Sequence, residues 1–184
     1  MGIEIEKKFQ LGPEQKQFLE GRLSEVGEVF RDTEFEENML FGGGNLDHKT
    51  RVLRIRRVRG IAILTYKELL ASSSGIKRRR EEETRVENPE AMIHILATGG
   101  YKPALVYEKL RRTWKVAGTE VTIDELPFGV FLEIEGDENA ILHVEATLSL
   151  SGTGAPLSYP ELVLKYGVKN GEIIEARFKN KGLV

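Results

Sequence analysis

The sequence predicts an α+β protein in which eight antiparallel strands close into a barrel with a charged lumen, flanked by amphipathic helices. Three observations carry this reading. Segments near 3–9, 35–41, 51–58, 61–68, 76–87, 105–115, 120–125 and 130–135 alternate with the period of a strand. In nearly all of them the face opposite the apolar residues carries charge, not the mixed Ser, Thr, Asn and Gln of a solvated strand face. That charge is of both signs in near-equal number, segregated by strand.

Helical segments punctuate the strands. Pro13 to about Val26 reads as a helix, with Pro13 in the first turn and Phe18, Leu19, Leu23 and Val26 on one side. Asn88 and Pro89 supply an N-cap and first position for a second helix, with Met92, Ile93, Ile95 and Leu96 as its apolar face and Gly99-Gly100 as its stop. Asp137 caps a third helix running to about Leu150, and Glu161 to Tyr166 forms a short helical turn after a Gly/Ser/Pro loop. The polar tail after Gly167 is expected to be loose. The whole of 1–184 is read as one domain, a size that buries a real core.

The sidedness is specific. Ile3, Ile5 and Phe9 oppose Glu4, Glu6 and Lys8; Leu53 and Ile55 oppose Arg54 and Arg56; Leu64 and Tyr66 oppose Thr65 and Lys67. Leu110 opposes Lys109 and Arg111, Val121 and Ile123 oppose Thr122 and Asp124, and Leu132 and Ile134 oppose Glu133 and Glu135. Arg79, Glu81, Glu83 and Arg85 share one face of the 76–87 strand. An excess of arginine leaves that register open by one residue, the alternative turning Arg78, Arg80 and Glu82 inward. Enclosing unpaired charge costs several kcal/mol per group, so such a lumen implies a charged ligand that uses it.

Bulk composition narrows the classes. A net charge of −2 supplies no global pull toward nucleic acid or anionic lipid. Cysteine is absent, which excludes disulfides, thiolate metal sites and thiol nucleophiles. No stretch approaches the ~20 apolar residues of a membrane helix, and the first residues alternate charge and apolarity unlike a signal peptide. A cytoplasmic location is therefore expected, with a small-molecule partner, no nucleic acid, and a monomer or homodimer.

The ligand class follows from having both signs on one surface. Arginine forks and lysine point charges suit phosphate oxygens. Carboxylates repel phosphate, so a hard divalent cation must bridge them, which points to Mg²⁺ or Mn²⁺ with a polyphosphate. Glu4 with Glu6 and Glu133 with Glu135 are i, i+2 pairs suited to such an ion.

Glu4-Ile5-Glu6-Lys7-Lys8 matches the E-x-E-x-K signature of the CYTH domain, or triphosphate tunnel metalloenzyme superfamily. The chain also resembles that family in order. Asn38-Met39-Leu40-Phe41, Leu53-Arg54-Ile55-Arg56, Leu64-Thr65-Tyr66-Lys67, Arg79-x-Glu81-x-Glu83, Lys109-x-Arg111, Asp124 and Phe131-Leu132-Glu133-Ile134-Glu135 follow in turn, then Ser158-Tyr159 before Glu161-Leu162. The resemblance spans about residues 3–166. It implies an eight-stranded tunnel, metal dependence and a triphosphate substrate. Glu4, Glu6, Glu133 and Glu135 become metal-site candidates. Lys8, Arg54, Arg56, Lys67, Arg79, Lys109 and Arg111 become phosphate contacts, with Lys8 and Lys67 also catalytic candidates. Glu81, Glu83 and Asp124 would support metal, water or basic side chains. The Ser-rich stretch Leu69–Ile76 departs from the family pattern as an extra loop, with Ser72–Ser74 able to cover a tunnel mouth.

The reaction expected is metal-assisted hydrolysis of inorganic tripolyphosphate, thiamine triphosphate or a nucleoside triphosphate. An adenylyl cyclase of the CYTH type is the close rival, and a non-catalytic polyphosphate-binding module a more distant one. Gly43 to Thr50 nearly spells G-x-x-x-x-G-K-T, but His48 replaces the second glycine and an Arg-rich strand follows where a helix is required. The basic runs 51–59 and 77–80 lack interleaved aromatic residues for nucleic-acid stacking. His94 and His143 are expected on helix surfaces, and Trp114 in the core or under a helix.

Overall fold

The computed structural model describes residues 2–73, 75–150, 154–155 and 157–179. The chain runs β1 (Gly2–Leu11), α1 (Pro13–Val26), β2 (Glu28–Gly42), β3 (Arg51–Val58), β4 (Ile61–Ser73), β5 (Ile76–Val86) and α2 (Pro89–Thr98). It continues through β6 (Lys102–Val116), β7 (Thr119–Leu126), β8 (Gly129–Glu135), α3 (Glu138–Thr147), α4 (Tyr159–Tyr166), β9 (Val168–Asn170) and β10 (Ile173–Ala176).

Strands β2-β3-β4-β5-β1-β8-β7-β6 hydrogen-bond in that order, and β6 pairs back to β2, closing an eight-stranded antiparallel barrel. Closure leaves the barrel strands without free edges. Helix starts follow local chemistry. Asn88 accepts from the Ala91 N–H, Asp137 from the Asn139 N–H, and Ser158 and Glu161 form a reciprocal capping box.

The barrel's exterior is its hydrophobic side. Phe9, Trp114, Val121, Ile123, Leu132 and Ile134 pack with Leu19 and Leu23 of α1 and Ile141 and Val144 of α3. Phe41, Ile55, Ala62 and Val86 pack with Met92, Ile93 and Leu96 of α2. A third cluster lies at one end of the barrel. There the inward positions turn apolar at Leu40, Leu105 and Phe131, and α4 lays Tyr159, Leu162 and Val163 over them. Trp114 is in the core as expected, and His94 and His143 are exposed on their helices.

Several expectations change. The tail after Gly167 is not loose. β10 pairs in parallel with β6 at Leu105–Tyr107, and β9 pairs with β10. The side chain of Arg177 donates to Glu37 at 2.7 Å and Glu108 at 2.9 Å, and the Phe178 N–H donates to Glu108. A four-residue strand gains its place from this pairing and from α4, not from its composition. The Leu69–Ile76 stretch is mostly strand. A bulge between Leu69 and Ala71 absorbs the surplus residue, and the ladder continues to Ser73 opposite Ile76. The side chains of Ser72–Ser74 lie outside the described residues. The third helix ends at Thr147, not Leu150.

The phosphate-loop lookalike is a turn feeding β3. Asp47 accepts from the Lys49 N–H and the Thr50 hydroxyl, occupying the group that would serve a metal. Gly43 has φ +113° and a Cβ there would meet the Gly100 carbonyl at 2.2 Å, so glycine is required for this loop to lie against the α2–β6 connection. No described helix is long and apolar enough to cross a membrane.

Leu23 is fully buried between α1 and the barrel wall. Leu23→Ala should lower unfolding free energy by about 2–5 kcal/mol in urea titrations, with an unchanged m-value.

Candidate active site

Side-chain alternation aims one face of every barrel strand at a common interior. The register then decides who meets whom. Glu4 stands opposite Arg79, Lys8 opposite Glu133, Arg111 opposite Asp124 and Lys67 opposite Glu81. All of these but Asp124 surround a cavity of about 300 Å³. Glu4, Glu6, Lys8, Arg54, Arg56 and Lys67 all line it, as do Arg79, Glu81, Glu83, Lys109, Arg111, Glu133 and Glu135. The 76–87 strand therefore keeps the register that points Arg79, Glu81 and Glu83 inward. Arg78 and Arg80 point outward to Glu138 and Glu68.

Acids and bases neutralise each other across strands. The Lys67 ammonium donates to both Glu4 oxygens at 2.7 and 2.8 Å and sits 3.1 Å from Glu81. Arg79 pairs with Glu6. Arg56 reaches Glu83 at 3.4 Å, and the Thr65 hydroxyl donates to the same carboxylate at 2.7 Å. Arg111 forks onto Asp124 at 2.6 and 2.5 Å and reaches Glu133 at 2.7 Å.

Asp124 is the most heavily bonded of these groups and, unlike the others predicted, does not line the cavity. It lies behind Arg111 and Lys109, fully buried. Burial alone would raise its carboxyl. Arg111, Lys109 and the Tyr159 hydroxyl, which donates at 2.8 Å, hold it instead well below the usual carboxylate range. Asp124 thus positions cations. Lys8 shows the opposite balance: burial pulls its ammonium down to about 8 against the attraction of Glu133 and Glu6. Its Nζ lies 4.3 Å from the Tyr159 ring centroid.

Glu135 is the least compensated acid. It faces Glu6 on β1 and Glu120 on β7, and like charges directly opposed on a ladder repel. Burial, then Glu4, raises its carboxyl to about 7, with Glu120 and Glu81 adding to the shift.

Sequence reasoning missed several lumen residues. Glu36 is buried, 3.3 Å from Lys109; burial would raise its carboxyl, but Lys109, Arg111 and Arg56 hold it near 2. It went unseen because Glu36 and Glu37 are adjacent acids, so charge alone cannot say which points in. Glu37 points out, to Arg57 and Arg177. Asn38, Tyr107, Glu120 and the loop residues His48, Lys49 and Thr50 were likewise missed; all but Asn38 line the cavity. The loop residues lie outside any strand pattern, so period-two reading has no purchase on them.

The donor chemistry of Glu4, Glu6, Glu133 and Glu135 is carboxylate-only, as a hard divalent cation prefers. The surplus negative charge around Glu135 fits a cation as well. Among the described residues no three acids or histidines are already gathered at ligating distance. Glu4, Glu6 and Glu133 are each engaged by a cationic side chain.

A closed barrel with acids and bases alternating around one interior defines a tunnel for a polyanion. The chain belongs to the CYTH domain family, whose model matches residues 2–150. A protein of Methanocaldococcus jannaschii named as a candidate adenylate cyclase is 31% identical over 136 residues, covering 72% of this chain and 76% of that one. The structure of the PH1012 protein from Pyrococcus horikoshii is similar with a TM-score of 0.75 at 25% identity, covering 86% of this chain and 98% of that one. A candidate adenylyl cyclase from Hippeastrum, described as having a dominant triphosphatase activity, shares the fold at 19% identity with a TM-score of 0.68, over 90% of this chain and 96% of that one. CYTH proteins are enzymes of triphosphatase or adenylate cyclase type and are generally metal-dependent.

The Glu135 carboxyl, raised from 4.5 to about 7, holds a proton in the folded chain that the unfolded chain has released. Its contribution to stability is therefore favourable below about 4.5 relative to higher pH, and is lost as pH rises toward 7. In chelator-treated protein, Glu135→Gln should flatten this decline in the unfolding midpoint between pH 4.5 and 7. Water at the mouth keeps the difference small.

Proposed function

We propose that this chain hydrolyses a triphosphate in a metal-dependent reaction inside the barrel. The observation that carries the reading is convergence: Glu4, Lys67, Arg111 and Glu135, from four different strands, line one cavity, with Glu135 at its solvent-exposed mouth. Inorganic tripolyphosphate, thiamine triphosphate and nucleoside triphosphates all present the required chain of phosphates.

Each side chain has a task in this reading. Arg54, Arg56, Arg79 and Arg111 grip phosphate oxygens with their forks, and Lys8, Lys67 and Lys109 neutralise charge as point cations. Asp124 and Tyr159 fix the orientation of Arg111 and Lys109. A Mg²⁺ or Mn²⁺ ion, held by Glu4, Glu6, Glu133 and Glu135, supplies Lewis-acid polarisation of the phosphoryl oxygens when bound. Glu81 and Glu83 lie at the tunnel wall where a carboxylate can hold a water for in-line attack on the terminal phosphorus. The anhydride oxygen then leaves with the shorter phosphate chain, its charge met by the lysines and arginines. Within the barrel these cations pair with neighbouring carboxylates. With polyphosphate drawing the cations to its oxygens, Glu4, Glu6, Glu133 and Glu135 would be released to hold a divalent ion, so neither set would be left uncompensated.

The name of the M. jannaschii relative favours a second reading, in which the ribose 3′-hydroxyl of ATP attacks the α-phosphorus and pyrophosphate leaves. Product analysis separates the two. Incubation with tripolyphosphate and with ATP, each with Mg²⁺ or Mn²⁺, should release orthophosphate; cyclic AMP with pyrophosphate would establish the cyclase instead. No product from these two substrates or from thiamine triphosphate would end both readings. Glu4→Gln and Arg111→Ala should each lower kcat by about 10²–10³-fold while the protein stays folded. Wild-type turnover in both variants would remove the proposed site.

A further inference from the structure

Asn38 is an anomaly in the tunnel wall. Its side chain is fully buried on the lumen face of β2, and among the described residues neither its amide oxygen nor its amide nitrogen has a hydrogen-bond partner. An amide offers two donors and two acceptor lone pairs, and leaving such a group buried and unsatisfied costs about 1–3 kcal/mol. An apolar residue of similar volume would avoid that cost. Leu40, two positions along the same face, shows that the wall accepts one.

The surroundings give the amide a use. Asn38 stands directly opposite Arg56 on β3, and opposed residues of an antiparallel ladder have Cα atoms only ~4.5–5.5 Å apart. The Nε atoms of Arg54 and Arg56 are also buried without a partner. The outer nitrogens of both guanidinium groups are engaged from the β4–β5 side by Thr65 and Glu83, and Arg54 also hydrogen-bonds Tyr107 on β6. Unmade Nε–H donors therefore lie next to an unmade acceptor on the β2 wall. Both arginines line the cavity and Asn38 does not, which places the amide behind them.

We infer that Asn38 is a positioning residue for the anion: its amide oxygen accepts the Nε–H of Arg54 or Arg56, directly or through one water, when phosphate draws the guanidinium groups away from Glu83. The bond fixes the plane of a fork that would otherwise swing about its stem, and a fixed fork binds phosphate in a bidentate manner. The amide is neutral, so it orients the arginines without competing for their charge as Glu83 does. The inference rests on the tunnel binding polyphosphate.

The test compares wild type, Asn38→Leu and Asn38→Thr by thermal unfolding with and without tripolyphosphate, and by steady-state kinetics with Mg²⁺. Asn38→Leu removes the unsatisfied group, so its ligand-free midpoint should rise by about 2–4 °C. Its tripolyphosphate-induced shift should shrink and its KM rise about tenfold. Asn38→Thr keeps a neutral oxygen acceptor at nearly the same volume, so its KM should stay within about threefold of wild type. A purely structural role predicts instead that Asn38→Leu loses stability and keeps KM, and that result overturns the inference. So does an Asn38→Thr protein as impaired in KM as Asn38→Leu. Should Asn38→Leu not fold, Asn38→Ala carries the same expectation for KM. A wild-type protein with neither a ligand-induced shift nor turnover overturns the tunnel reading itself, and the inference falls with it.

Discussion

Charge compensation inside the barrel is the constraint on which this structure depends. A lumen lined by ionised groups is tolerable only if each charge meets its opposite, because isolated buried ions cost several kcal/mol apiece. The chain meets the requirement across strands: Lys67 on β4 answers Glu4 on β1, Arg79 on β5 answers Glu6, and Arg111 on β6 answers Glu133 on β8. Lys67–Glu4 and Arg79–Glu6 link residues more than sixty apart in sequence and need β1 docked beside β5, whereas Arg111–Glu133 spans the local β6-β7-β8 meander. The same pairs are the currency of the proposed reaction, since a polyanion and a cation together can take over both partners.

The compensation is uneven, and the unevenness separates scaffold from working parts. Asp124 is saturated by Arg111, Lys109 and Tyr159, and α4 packs Tyr159 into place over that cluster. This corner is preorganised. Glu135 lies at the other extreme, among Glu4, Glu6, Glu120 and Glu81, with its carboxyl raised toward neutrality. The geometry therefore concentrates cationic character and rigidity near Asp124, and unanswered negative charge near Glu135. That polarity suits a ligand whose phosphates lie against one side while a metal lies against the other.

The outside of the barrel is built by ordinary means. Helices α1 and α3 cover one apolar flank and α2 another, while α4 covers the end where the interior turns apolar. The β9–β10 hairpin extends the sheet where β7 leaves β6, and Arg177 ties it to Glu37 and Glu108 on the two strands that close the barrel. The clamp sits directly behind Glu36 and Lys109, so the segment beyond the matched family region braces the wall that carries lumen charge.

By itself the sequence determined the eight barrel strands, the first three helix starts and the sidedness, because alternation and capping are local properties with fixed periods. Glu4 and Glu6, Arg54 and Arg56, and Glu133 and Glu135 were legible from that alternation alone. Tertiary structure decided what alternation cannot encode. Between the adjacent acids Glu36 and Glu37, only pairing with β6 and β3 settles which enters the lumen. For the 76–87 strand, only the β1 and β4 registers turn Arg79 inward and Arg78 outward. For the tail after Gly167, a polar segment gains order from β6, more than sixty residues away, together with α4 and its own β9–β10 pairing. The isolation of Asn38 among unpaired arginine nitrogens is likewise a fact of assembled walls, invisible to any reading of β2 alone.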